Sequence, residues 1–186
     1  VTDMVRRDRN HPSIFLWSIG NEVDYPNDPY SHPILDGAQI NQPMFGGYKP
    51  DAPDAMRIGV IAKRLSARVR AVDTSRPVTG ALAGVVMSNE TEYPGAVDVV
   101  GYNYKDKYYE IDHKLYPYQP IIGSENVGQL FEWTAVADKK YIAGIFVWTG
   151  FDYLGENGPW PARGGDCSFF DFVGNKTARG HFFECL

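Results

Sequence analysis

Two glutamates follow short apolar segments in the same way, and together they could hydrolyse a glycosidic bond. Glu22 comes three residues after the apolar segment 14–19, and Glu125 comes three residues after the apolar pair 121–122. Retaining hydrolysis needs two carboxyl groups about 5 to 5.5 Å apart, one to protonate the leaving oxygen and one to attack the anomeric carbon. If the fold brings both segments to one rim, Glu22 and Glu125 are candidates for this pair.

A less specific interpretation applies to each glutamate alone. A glutamate that follows a strand commonly lies in solvent or caps the next helix, without any catalytic role. Here both glutamates are framed by a glycine or serine and by an asparagine, Asn21 before Glu22 and Asn126 after Glu125. The repeated frame favours the chemical interpretation.

The elements that must position these glutamates are the strands of a parallel sheet. Short runs rich in β-branched and aromatic residues each end in a polar or glycine-rich stretch, as buried parallel strands do. They predict strands at residues 13–20, 77–82, 97–102, 120–124 and 142–148. Because the carboxyl ends of parallel barrel strands share one rim, both glutamates are expected at the same mouth.

Helices are predicted between these strands. The best signal is an amphipathic helix that opens at Pro53-Asp54 and closes at Arg76-Pro77, with apolar residues at helical spacing. Weaker candidates lie at residues 108–115 and 130–141, with a faint signal before Leu186. Two long segments, 24–51 and 150–180, are rich in Gly, Pro, Asn, Asp and aromatics. Long excursions after strand ends are where such folds place substrate contacts.

Composition narrows the choice of ligand. Aromatic residues make up 14% of the chain, with twelve Tyr and four Trp, and many lie beside polar residues. Such rings suit stacking against sugars, although they could equally fill a core. The net charge of −5 disfavours nucleic acid, and no run of about 18 apolar residues predicts a membrane span. Cys167 and Cys185 show no metal-binding spacing; a single disulfide stays open.

Three segments resemble glycoside hydrolase family 2. Residues 11–22, HPSIFLWSIGNE, resemble the family's acid/base strand, and residues 122–125, IGSE, resemble its nucleophile strand. Residues 146–156 resemble the last barrel strand and loop of the β-galactosidase branch. The resemblance covers essentially the whole chain in the family's order. It implies a partial (β/α)8 TIM barrel, approximately strands four to eight, that starts inside the helix before strand four; residues 1–186 would form one fragment without an internal boundary.

The resemblance also assigns roles by position. Glu22 would be the general acid/base and Glu125 the nucleophile of a retaining β-glycosidase. Asn21 would bind the sugar 2-hydroxyl and Tyr104 would orient the nucleophile, although Tyr104 could simply be a rim aromatic that packs under a loop. Trp148 would form the floor of the sugar subsite or, alternatively, belong to the core. The full substrate-binding set is Asn21, Tyr104, Trp148 and Asp152.

Two departures from the family bear on specificity. Gly128 stands three residues after Glu125, where a β-galactosidase often carries a histidine. No metal ligand and no cofactor can be assigned in this chain, and a metal in the parent protein stays open. Asn175-Lys176-Thr177 does not match the Asn-x-Lys spacing expected for a glucuronide carboxylate. We therefore favour galactoside over glucuronide, and β-glucuronidase-like or β-mannosidase-like specificity stays the alternative.

The sequence thus predicts a β-galactosidase-like hydrolase that removes terminal β-linked sugars by double displacement. The alternative is a carbohydrate-binding fragment without catalysis; an unrelated α/β domain would need a nucleotide motif such as GxGxxG, which the chain lacks. The expected partner is a carbohydrate, with neither nucleic acid nor membrane. Exposed edges at strands four and eight predict that the fragment either pairs its edges with a second copy or is poorly soluble. No signal peptide is visible, and the compartment stays open.

Overall fold

A five-stranded parallel sheet forms the centre of the molecule. The computed structural model describes residues 1–24, 30–36, 47–155, 158–162, 164–165 and 168–186. The strands lie side by side in chain order, so each connection is a crossover between neighbours. Their bounds are β1 Trp17–Asn21, β2 Val78–Leu82, β3 Val99–Asn103, β4 Ile121–Asn126 and β5 Ile142–Val147.

Seven α-helices are present in the described ranges, and most are short. Only α2 exceeds two turns. Their bounds are α1 Thr2–Asp8, α2 Met56–Arg70, α3 Val85–Asn89, α4 Tyr93–Ala96, α5 Tyr109–Leu115, α6 Leu130–Thr134 and α7 Ala178–Glu184. Short 3₁₀ helices lie at Pro33–Asp36 and Asp106–Tyr108. Among these residues no helix has both the length and the apolar character that a membrane span requires.

The core lies between the sheet and its helices. All five residues of β2 are buried, as expected for a central strand covered on both faces. Ile58, Ala62 and Val69 bring one face of α2 onto that core, at the spacing that predicted the helix. The sheet is curved. This follows from the rings of Phe15, before β1, and Phe146, in β5, which stack with their centroids 6.1 Å apart. Strands at opposite edges could not meet in this way across a flat sheet.

The predicted parallel α/β architecture is confirmed, and all five strands lie where the sequence placed them. The first is shorter than predicted, since β1 begins at Trp17 and residues 13–16 form its approach. There Ile14 N donates a hydrogen bond to His11 O, and Arg76 Nε donates one to Ile14 O. The backbone N–H and C=O of Ile14 are therefore both paired outside the sheet. The helix predicted at 130–141 ends at Thr134. Helices α3 and α4 were not predicted.

The two long segments are described only in part. Residues 25–29 and 37–46 of the first, and residues 156–157, 163 and 166–167 of the second, lie outside the described residues. The interpretation of Cys167 therefore also lies outside them, whereas Cys185 is an exposed free thiol. The weak signal before Leu186 corresponds to α7, which Thr177 caps by accepting a hydrogen bond from Gly180 N.

Candidate active site

Asn103, the last residue of β3, joins the two glutamates that the sequence singled out. Its Nδ2 lies 3.1 Å from Glu22 Oε1 and 3.0 Å from Glu125 Oε2, and 3.0 Å from Asn21 Oδ1. An amide NH2 has two hydrogens, so these three acceptors must share them. On the other side, Ser124 Oγ donates to Asn103 Oδ1 at 2.7 Å, which fixes the orientation of the amide.

This shared donor limits how far apart the carboxylates can be. Distances of 3.1 Å and 3.0 Å to one nitrogen place Glu22 Oε1 and Glu125 Oε2 within about 6 Å of each other. Retaining glycosidases hold their carboxyl groups about 5 to 5.5 Å apart, whereas inverting enzymes need about 6.5 to 9.5 Å to admit a water. This limit applies to one oxygen of each carboxylate, and it is compatible with the shorter, retaining separation.

Glu22 lies in an unusual backbone conformation just beyond β1. Its φ of 48° falls in the left-handed region, which non-glycine residues seldom adopt. Its N–H donates to Ala81 O at 2.9 Å, which ties it to the end of β2. Two residues later, the buried carboxylate of Asp24 accepts hydrogen bonds from the segment that follows β2. The backbone around Glu22 is therefore held on both sides.

Glu125 accepts a hydrogen bond at each carboxylate oxygen. Tyr104 donates from its hydroxyl to Oε1 at 2.7 Å, and Asn103 donates to Oε2. Tyr104 N also donates to Glu125 O at 2.8 Å, so side chain and backbone bind the same residue. Tyr104 has a φ of 55°, the second left-handed non-glycine residue found in the described ranges. Hydrogen bonds from neutral donors stabilise the ionised form of a carboxylate.

Lys105 adds a positive charge near the other glutamate. Burial lowers the pKa of its ammonium, as does repulsion from Lys107, while the nearby carboxylates of Asp24 and Glu22 oppose this shift. Lys105 follows Tyr104 directly, so Asn103 at the end of β3 and the two residues after it are three consecutive polar residues. Its charge interacts with Glu22.

Asn21, the last residue of β1, completes the central cluster. It is exposed, and its Oδ1 accepts the hydrogen bond from Asn103. Its own amide NH2 has no acceptor in the part of the chain that the structure describes. Asn21 can therefore present a donor to a ligand above the rim while its oxygen is held from below.

Trp148 and Asp152 follow β5 but lie outside this cluster of hydrogen bonds. Trp148 N donates to Asn126 O at 2.8 Å, at the end of β4, and 42% of the residue is exposed. Its indole donates to Tyr153 OH at 3.2 Å. Such exposure fits a ring that meets a ligand better than a core residue. Asp152 Oδ1 instead accepts from Gly165 N at 2.9 Å, so this carboxylate organises a loop.

The sequence analysis missed Asn103 and Ser124 as members of the site. Asn103 lies at a strand end, as both glutamates do, and it is in register with Glu125 across β3 and β4. Its position directly before Tyr104 was the available signal. Only the structure reveals that a buried amide at this place touches both carboxylates.

The described residues contain no group of three or more His, Cys, Asp or Glu side chains that could hold a metal ion. Gly128, where a histidine was expected, has a φ of 74°. A Cβ there would lie 3.1 Å from Val147 Cγ1 and 3.3 Å from Arg179 Cδ. A histidine at this position would therefore need both a strained backbone and rearranged neighbours.

Comparison with known proteins places this geometry in context. Residues 1–154 match the family model described as "Glycosyl hydrolases family 2, TIM barrel domain". The chain is 28% identical over 226 residues to beta-galactosidase BoGH2A of Bacteroides ovatus, an alignment that covers 94% of this chain and 27% of the relative. The chain therefore spans about a quarter of the length of that curated protein.

Solved structures agree with the fold. A glycosyl hydrolase family 2 member from Bacteroides cellulosilyticus DSM 14838 is 30% identical with a TM-score of 0.72, covering 97% of this chain and 20% of its own. A beta-glucuronidase from Bacteroides uniformis is 20% identical with a TM-score of 0.68, covering 98% of this chain and 24% of its own. The second likeness concerns the fold alone.

Proposed function

The chain belongs to glycosyl hydrolase family 2, and from this premise we propose that it supplies the reacting carboxylates of a retaining, β-galactosidase-like glycosidase. The observation that carries the proposal is the single amide of Asn103, which contacts both Glu22 and Glu125. Two carboxylates held this close can act as a proton donor and a nucleophile on opposite sides of one glycosidic bond.

In the first step, Glu125 attacks the anomeric carbon as the bond to the leaving oxygen breaks. Glu22 gives its proton to that oxygen, so that the aglycone leaves as an alcohol and the sugar stays esterified to Glu125. In the second step, a water attacks the same carbon while Glu22 takes its proton. The ester bond breaks, the sugar leaves with its original anomeric configuration, and both carboxyl groups return to their starting state.

The neighbouring donors have separate tasks in this scheme. Tyr104 and Asn103 hold the Glu125 carboxylate in position, since each donates to a different carboxylate oxygen. Asn21 offers its amide NH2 to the sugar 2-hydroxyl, a contact that gains strength in the transition state. Trp148 offers a partly exposed indole face at the end of β5, where a sugar ring can stack.

A galactoside is the substrate that the observations favour. The named curated relative is a beta-galactosidase. A glucuronide would need a cation for its carboxylate, and Lys176 is a poor candidate because its Nζ already pairs with Glu184 Oε2 at 2.7 Å. In Asn175-Lys176-Thr177 the lysine directly follows the asparagine, whereas the expected Asn-x-Lys pair has one residue between them.

Two variants in a protein that contains these residues within a complete barrel test the proposal. Glu125→Gln is expected to abolish hydrolysis of every aryl β-galactoside, because no nucleophile remains. Glu22→Ala is expected to lower kcat/KM by about 10²- to 10⁴-fold for a phenyl β-galactoside, whose leaving group needs a proton. The loss should be far smaller for a dinitrophenyl β-galactoside, whose leaving group needs none.

The stereochemistry of the product provides an independent check. Proton NMR of the first turnover should reveal the β-anomer before mutarotation, and azide should rescue Glu22→Ala by forming a β-galactosyl azide. An α-anomer as first product, or a Glu22→Ala loss that is equal for both leaving groups, would contradict the assignment. Faster hydrolysis of aryl β-glucuronides than of β-galactosides would retain the mechanism and overturn the choice of sugar.

A further inference from the structure

Asp24 is a buried carboxylate to which the reaction described above gives no task. Only 1% of the residue is exposed. Its Oδ1 accepts from Ala83 N at 2.9 Å, and its Oδ2 accepts from Gly84 N at 2.8 Å and from Ser88 Oγ at 2.5 Å. All three partners donate, so the carboxylate is matched as an acceptor at both oxygens. Burial raises the pKa of Asp24, and these hydrogen bonds oppose that shift.

A buried carboxylate that only joins two segments would be unfavourable, because its charge must be desolvated. Buried charge is costly even when it is paired with donors, and a neutral side chain could join two segments with less desolvation. The position of Asp24 suggests what the charge accomplishes. It lies two residues after Glu22, whose φ of 48° must be held by its surroundings.

Without Asp24, the backbone around Glu22 would be attached on one side only. On the N-terminal side, Glu22 N donates to Ala81 O at the end of β2. On the C-terminal side, the Asp24 carboxylate accepts hydrogen bonds from the connection that follows β2, between Ala83 and Ser88. Glu22 is thus carried on a short span with both ends attached to one segment, and removal of the second attachment would let the span relax toward an ordinary conformation.

We propose that Asp24 is a positioning residue that holds the acid/base Glu22 in its left-handed conformation, where the carboxyl group can reach the leaving oxygen. The proposal rests on the function assigned to Glu22 above. Asp24 itself touches neither the substrate nor the reacting atoms. Its effect is therefore confined to the proton transfers that Glu22 performs.

A second buried carboxylate offers a contrast on the nucleophile side. Glu132 is 2% exposed and accepts from Val127 N at 3.1 Å and from Gln129 N at 2.9 Å, directly beyond Glu125. Loss of this contact should disturb Glu125, on which every substrate depends. Asp24 and Glu132 variants should therefore differ in how their losses depend on the leaving group.

The test compares Asp24→Asn with Glu132→Gln in a protein that contains these residues in a complete barrel. With phenyl β-galactoside, Asp24→Asn is expected to lose about 10- to 100-fold in kcat/KM, part of the 10²- to 10⁴-fold that acid catalysis supplies. With the dinitrophenyl substrate the loss should stay within about threefold, and azide should not improve the wild type. Glu132→Gln should slow both substrates equally.

Ser88→Ala is a second, milder change to the same contact, because it removes one donor and leaves the Asp24 carboxylate in place. It keeps the test decisive if Asp24→Asn does not fold. Its loss in kcat/KM should depend on the leaving group as that of Asp24→Asn does, but should be smaller. Asp112→Asn is the matched control, since this buried carboxylate accepts from Tyr102 OH at 2.7 Å away from the glutamates. It should change stability without any leaving-group dependence.

The outcomes separate this proposal from the one it rests on. Equal losses on both substrates for Asp24→Asn and Ser88→Ala, beside a leaving-group-dependent loss for Glu22→Ala, would overturn the positioning role and retain the mechanism. A Glu22→Ala variant without such dependence would overturn the mechanism itself. The expected pattern is one in which Asp24→Asn follows Glu22→Ala in kind, and Glu132→Gln does not.

Discussion

Asn103 shows how one neutral side chain can organise two acids. A lysine at the same place would bind both carboxylates more strongly but would lower the proton affinity of the acid/base. An amide supplies a donor without a net charge, and the Asn103 amide contacts both Glu22 and Glu125. Ser124 holds the amide by its oxygen and keeps the donor face toward the acids.

Removal of this amide should reduce activity strongly. Asn103→Ala is expected to lower kcat/KM by about 10- to 100-fold, because hydrogen bonds to charged groups contribute about 1.5–3 kcal/mol. Asn103→Asp should lose more, since it adds a third carboxylate beside two others. Steady-state kinetics on an aryl β-galactoside, with circular dichroism to verify folding, measures both.

Ser124→Ala serves as the control for Asn103, because it leaves the donor face intact and removes only the hydroxyl behind it. We expect a loss of a few fold. An Asn103→Ala variant within threefold of the wild type would contradict the role given to the amide.

Among the individual residues, the sequence could single out the two glutamates of the proposed site, but not the side chain that contacts both of them. Glu22 and Glu125 follow apolar strands and fit a known pattern, and Tyr104 carries a role by resemblance. Asn103 is one of many asparagines, and its burial beside both carboxylates depends on how β1, β3 and β4 meet. For Asp152 the sequence predicted a place among the substrate-binding residues. Its carboxylate instead accepts a hydrogen bond from Gly165 N, and no contact of the described residues links it to Asn103.

Among the secondary-structure elements, the start of β1 is fastened by a network around Asp73. Trp17 Nε1 donates to Asp73 Oδ2 at 3.0 Å, and Ser75 Oγ and Arg76 donate at 2.6 Å each. Arg76 also donates to Ile14 O, at the approach to the strand. The connection between α2 and β2 therefore holds the entry to the strand that ends at Glu22.

This network makes stability depend on pH in a defined direction. Hydrogen bonds from Ser75 and Trp17, and then from Arg76, hold the pKa of Asp73 well below its usual value of 3.8. The folded chain thus binds fewer protons than the unfolded chain between the two pKa values. The contribution of Asp73 is complete above about pH 5 and is lost progressively as the pH falls through 3.8 toward the folded value.

Asp73→Asn should accordingly unfold at a lower denaturant concentration than the wild type at pH 7, with a difference that shrinks below pH 4. Chemical denaturation followed by tryptophan fluorescence at several pH values measures this. Asp138→Asn is the control, because Asp138 is exposed and has no hydrogen bond in the described parts of the chain. A difference that stays constant from pH 7 to pH 3 would contradict the argument.

The elements differ in how well the sequence predicts them. The five strands and α2 were predictable because burial imposes a clear apolar pattern on them. The short helices α3 and α4 were not, since Val85–Asn89 and Tyr93–Ala96 each span little more than one turn. Their form depends on tertiary packing, of α4 against α2 and of α3 against α4. The helical pattern over 130–141 did not predict that α6 ends at Thr134.

For the molecule as a whole, the open sheet is the dominant feature. Strands β1 and β5 are the two edges of the five-stranded sheet, so within the described residues each has a row of backbone groups that no neighbouring strand pairs. Phe15 and Phe146 lie on the curved inner side with 61% and 44% of their surface exposed. In a complete barrel, further strands would cover both the edges and these rings.

The isolated 186-residue chain should therefore self-associate. Sedimentation velocity is expected to give a weight-average coefficient that rises with concentration, because edge pairing and burial of the inner aromatic rings both favour a second copy. A double variant, Phe15→Ser with Phe146→Ser, should weaken this association. Ile111→Ser on α5, where 55% of the residue is exposed, is the matched control and should leave it unchanged. A single monomeric species at all concentrations would contradict the prediction, whereas equal association of the double variant would assign the contact to the strand edges alone.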